Sequence, residues 1–158
     1  MFLTFGLCVG TAFASGSAWG VAVGGHGSIG LKTQIPVTGI EGGLVYRWQE
    51  ETGVGIQIEL QDVWGLTSWS SVHLLGIKVS GTRLWGDTSG VHRFYSTAGL
   101  GGYVNDVMPV LPLLWLETGL EVDTGSMSWR LGPTLYGLPP FFVGGGLRLT
   151  VTHSVVGL

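Results

Sequence analysis

Residues 40–60 alternate almost without a break. Ile40, Gly42, Leu44, Tyr46 and Trp48 take one parity, followed by Val54, Ile56, Ile58 and Leu60. Glu41, Gly43, Val45, Arg47 and Gln49 take the other, followed by Gly55, Gln57 and Glu59. Side chains point to opposite sides of a strand in turn, so the stretch is two strands, each apolar on one face and polar or charged on the other. The link, Glu50-Glu51-Thr52-Gly53, is short and ends in a residue that accepts positive φ, as a tight hairpin requires. Any fold for this chain must put the two faces in two different environments.

The same period runs along the rest of the sequence. Strands are expected at about 19–31, 40–49, 54–61, 71–85, 91–104, 113–123, 127–136 and 142–155, about eight in all. Turns at 50–53, 87–90 and 123–126 recur at a spacing of two strands, one turn and one loop. The segments 32–39, 62–70, 105–112 and 137–141 read as longer loops. Arg83 breaks the pattern by falling on the apolar parity, which predicts either a bulge or a side chain that snorkels to an interface. With no linker or charge run, residues 15–158 form one domain. Residues 2–14 are apolar and end in Ala12-Phe13-Ala14, which reads as a secretory leader cut before Ser15; an extra strand is the alternative.

Composition then limits where the apolar face can go. Charged residues are only 11% of the chain and mean hydropathy is +0.43. No run of 18 apolar residues follows the leader, so strands rather than helices are expected to meet lipid. The net charge of −3 supplies no basic patch for nucleic acid. The single Cys, Cys8, allows no internal disulfide and no cysteine-based metal cluster.

Two closed barrels fit an eight-stranded meander. A soluble, lipocalin-like barrel would point its apolar face inward. A membrane barrel inverts the faces. Trp19, Trp48, Trp85, Phe94 and Trp129 all lie on the apolar parity and near the end that carries the short turns. A ring of large aromatics at one level is expected where amphipathic rings meet lipid headgroups, not in a soluble core. The pattern therefore predicts an all-β, closed, up-and-down antiparallel transmembrane barrel.

In its alternating strands, tight Gly-containing turns and rim tryptophans, the chain resembles the small eight-stranded outer-membrane β-barrel proteins of Gram-negative bacteria over about residues 17–158. The resemblance is one of pattern. It departs at Val155-Val156-Gly157-Leu158, where such proteins commonly end in an aromatic residue. It implies residence in the outer membrane, contact with the lipid bilayer and the outer-membrane assembly machinery, and a monomer.

On this reading Glu41, Arg47, Glu59, Lys78, Arg93, Glu117, Glu121, Asp123, Arg130 and Arg148 face the lumen. Buried charges must be paired, so a plug of ion pairs and hydrogen bonds is expected; a narrow ion or solute path lined by the same groups is the alternative. Nothing in the sequence calls for a cofactor, a metal or a catalytic residue. Glu117 and Glu121 stand four apart on one strand, about 13 Å at the usual rise, too far for a carboxylate dyad. His153-Ser154 invites comparison with the lipid A deacylases, whose late-strand His and Ser share a face with one residue between them. Here the two are adjacent and face opposite ways. His26, His73 and His92 show no ligand spacing.

Overall fold

The structure, a computed structural model, describes residues 16–30, 36–67, 70–86, 90–104, 111–138 and 142–155. The leader assigned to residues 1–14 lies outside them. Eight strands make up the described chain: β1 (Gly16–Gly30), β2 (Pro36–Gln49), β3 (Val54–Leu66), β4 (Ser71–Trp85), β5 (His92–Val104), β6 (Leu111–Asp123), β7 (Met127–Leu138) and β8 (Phe142–Val155). Each pairs antiparallel with the next, and β1 pairs antiparallel with β8, so the sheet closes. Closure leaves no strand edge with bare backbone groups.

The turns behave as their glycines require. Gly53, Gly86 and Gly125 adopt φ of 80°, 99° and 87°, a region closed to most side chains. In the first turn the Gly53 amide donates to the Glu50 carbonyl at 3.0 Å, while the Glu50 amide donates to the Val54 carbonyl at 2.8 Å.

The strands run further than the alternation predicts, and all four segments read as loops shorten. β2 starts at Pro36, β6 at Leu111, and β7 continues to Leu138. The largest correction is in β3, which continues to Leu66 through residues assigned to a loop. Asp62 hid the continuation by putting a carboxylate on the apolar parity. The period resumes beyond it, with Val63 buried inside and Trp64 exposed outside. β3 and β4 remain paired from Val54↔Arg83 to Leu66↔Ser71. That unbroken register also excludes a bulge at Arg83, whose side chain lies on the outer face with its guanidinium 4.6 Å from the centre of the Trp85 ring.

The faces are distributed as in an inverted barrel. Leu44 is 59% exposed and Ile56 49%, whereas Arg47 and Glu59 are each 2% exposed. A water-soluble barrel would carry the opposite assignment, because exposed apolar area is costly in water and buried charge costs still more.

Candidate functional site

The lumen is built by parity. Odd residues of β2, β3, β5 and β6 and even residues of β1, β4, β7 and β8 point inward. Among the described residues it holds five cations, Arg47, Lys78, Arg93, Arg130 and Arg148, and five carboxylates, Glu41, Glu59, Glu117, Glu121 and Asp123. All ten are buried; the most exposed of them is Glu41, at 9%.

They sort into two clusters. Near the turn end, Glu121 sits among three arginines. Arg93 donates to its Oε1 at 2.7 Å, Arg47 donates to Oε2 at 3.1 Å, and Arg130 donates to the same Oε2. Arg93 also donates to Asp123 at 2.5 Å. Arg130 also donates from Nη1 to Thr82 at 3.1 Å and Gln57 at 3.4 Å, and from Nη2 to Gln49 at 3.5 Å. Such charge-assisted bonds are the strongest a side chain makes, and a carboxylate has lone pairs for several at once.

Nearer the loop end the polarity is reversed. Arg148 sits among three glutamates: it donates to Glu59 and lies 3.6 Å from Glu41 and from Glu117. Lys78 approaches Glu59 at 3.5 Å and lies over the Trp115 ring, 3.2 Å from its centre. Tyr95 bridges the clusters, donating its hydroxyl to Glu117 at 2.6 Å while its ring lies against Arg130. Beyond the second cluster an apolar group of Val63, Tyr103, Leu113 and Trp115, with Leu74, Tyr136 and Phe142 against it, fills the loop end of the lumen.

All nine residues that parity assigns to the lumen network, Glu41, Arg47, Glu59, Lys78, Arg93, Glu117, Glu121, Arg130 and Arg148, lie inside, together with Asp123. What the charges alone did not mark are the neutral members. Gln61 donates to Glu41 at 3.2 Å and accepts from Tyr103, Gln57 and Thr82 accept from Arg130, Tyr95 joins the two clusters, and Trp115 lies under Lys78 and Arg148. Their signal was there in parity, since each shares the inward face of a charged neighbour.

Trp19, Trp48, Trp85, Phe94 and Trp129 are all exposed on the outer face toward the turn end. Trp85 and Phe94 are direct cross-strand partners, and Trp129 pairs with Val122 and Val151. Trp19 packs against Tyr46 with ring centres 4.8 Å apart. The histidines are dispersed. His26 faces inward, edge-on to Tyr136. His73 lies on the outside of β4, 2.6 Å from Asp62 and stacked on Trp64 at 4.1 Å, a grouping that depends on β3 continuing past Gln61. His153 is exposed outside, with Ser154 on the opposite face.

No family model and no curated relative matches the sequence. Solved structures do resemble it in fold. Neisserial surface protein A superposes with a TM-score of 0.67 at 12% identity, covering 91% of this chain and all of that one. The outer membrane enzyme PagL superposes with a TM-score of 0.52 at 13% identity, covering 88% of this chain and 99% of that one. The fold is that of the small eight-stranded outer-membrane barrels. At such identities the likeness is one of architecture, and the function has to be argued from this chain's own faces.

Proposed function

We propose that this chain is an integral protein of the bacterial outer membrane whose lumen is plugged, and that its role is structural or adhesive, carried by its outer surface and loops rather than by passage through its centre. The observation that carries the reading is the inversion of faces: an outer wall of Leu, Ile, Val and Trp around ten buried charged groups, each within ion-pair distance of an opposite charge. An apolar wall of that extent fits acyl chains, and the tryptophans at the turn end fit the level of the headgroups. The lipid bilayer is then its principal partner and the outer-membrane assembly machinery its route there, with the barrel acting as a monomer.

The plug follows from packing. Eight strands enclose a space about wide enough for side chains. Two ion-pair layers and the Val63, Tyr103, Leu113 and Trp115 cap lie in series across it. Pure protein in a planar bilayer is expected to give no discrete conductance steps; ion-selective steps would favour the conduit instead. A gel comparing unheated and boiled samples tests the membrane reading separately. The barrel folded into detergent is expected to shift in mobility on boiling, whereas solubility without detergent and no shift would count against it.

A further inference from the structure

Arg83 is the one cation on the outer face among the described residues, the other five being inside the lumen. Among the described residues it makes no ion pair. It pairs in register with Val54, the first residue of β3, and stands two residues from Trp85 at the end of β4, about 7 Å along the strand. That puts it at the level of the indole ring. Trp85 flanks the guanidinium and is itself fixed, its Nε1 donating to the Ser96 hydroxyl at 2.8 Å.

Immediately on the loop side of Arg83 the apolar wall is dented. Gly81 and Ala98 are cross-strand partners, and both are exposed on the outer face. A Cβ built on Gly81 would meet nothing within 4 Å. Larger outward residues border the dent: Ile56 on β3, Val79 and Leu100 on the loop side, and Leu116 on β6. A charge at headgroup depth beside an open apolar hollow matches a molecule with a phosphate at one end and an acyl chain leading away from it.

The geometry points to a binding site for one glycerophospholipid of the turn-side leaflet, with its phosphate on Arg83 and an acyl chain in the hollow over Gly81 and Ala98. The inference rests on the membrane reading above. Arginine suits the phosphate because its planar fork offers paired donors, and the indole beside it restricts the directions it can take.

The test is native mass spectrometry of the folded barrel in detergent, titrated with phosphatidylglycerol, phosphatidylethanolamine or lipid A. The expected result is one phospholipid retained per barrel. Arg83→Gln, which removes the charge, and Gly81→Leu, which fills the hollow and keeps the charge, should each reduce retention about ten-fold or more, the size of one charge-assisted hydrogen bond. Arg83→Lys should retain more lipid than Arg83→Gln. No retained lipid on the unaltered barrel, unaltered retention in either variant, or preference for lipid A would overturn the site. Each variant is first checked for insertion into vesicles. If the unaltered barrel does not insert, the membrane reading fails; if it inserts but binds no lipid, only the site does.

Discussion

The two ionic layers of the lumen are inverses of each other. At the turn end one carboxylate, Glu121, is held by three arginines; toward the loop end one arginine, Arg148, is surrounded by three glutamates. The first layer is tight, with each arginine in direct hydrogen bonds. The second is looser, with Glu41 and Glu117 at 3.6 Å, and it leans on the Trp115 ring and the apolar cap. Each layer therefore depends on a single central residue, and the two differ in what is stranded when that residue is lost. Arginines cannot give up their charge, whereas glutamates can be neutralised by a proton.

Glu121→Gln should do the most damage, since it leaves three buried guanidiniums with Asp123 as the nearest carboxylate. A loss of about 3–5 kcal/mol is expected, measured by urea unfolding of the barrel in lipid vesicles. Arg148→Gln deprives three carboxylates of their arginine, but Glu41 and Glu117 were held only at longer range and Glu59 keeps Lys78, so it should cost less, about 2–3 kcal/mol. The comparison sharpens in acid. From neutral pH down to about 5, above the range in which an ordinary carboxylate titrates, protonation of the stranded glutamates favours the folded variant, so its deficit relative to the unaltered protein should shrink as pH falls, while the Glu121→Gln deficit should hold; in stronger acid that deficit shrinks too, because the unaltered protein itself loses the Glu121 ion pairs. Equal losses at all pH values would mean that the layers are not the inverses described.

Lys78→Met comes next, at about 1–2 kcal/mol, because Glu59 keeps Arg148 and the replacement retains the packing on Trp115. A comparable loss is expected at Gly76. A Cβ there would lie 2.5 Å from Cδ1 of the Tyr103 ring and 2.9 Å from the Gly102 carbonyl oxygen, so Gly76→Ala must displace the ring and the facing backbone and should cost about 1–3 kcal/mol. The same urea titration reads both.

Much of this was legible in the sequence, because a strand's period of two assigns each residue a face with no knowledge of the fold. Arg47 and Glu59 could be placed inside, and Leu44 and Ile56 outside, on that ground alone. Three things were not legible. Which partner a charge takes depends on strand tilt and closure: Arg47 and Glu121 are 74 residues apart, and no local pattern brings them together. And Asp62 looked like the end of a strand because its compensation, His73, lies on the next strand. Parity left two readings for Arg83, and only the unbroken β3–β4 register decided between them.

Glu121 on β6 is bonded to Arg47 on β2, and Arg148 on β8 to Glu59 on β3. These bonds span the first and second halves of the chain. A half-finished sheet would present naked guanidiniums and carboxylates to hydrocarbon, where ionised groups are least tolerated. Strand-by-strand entry into lipid is thereby penalised, and the late strands must arrive before the early ones can be wetted by oil. The barrel's birth is in this way tied to its completion.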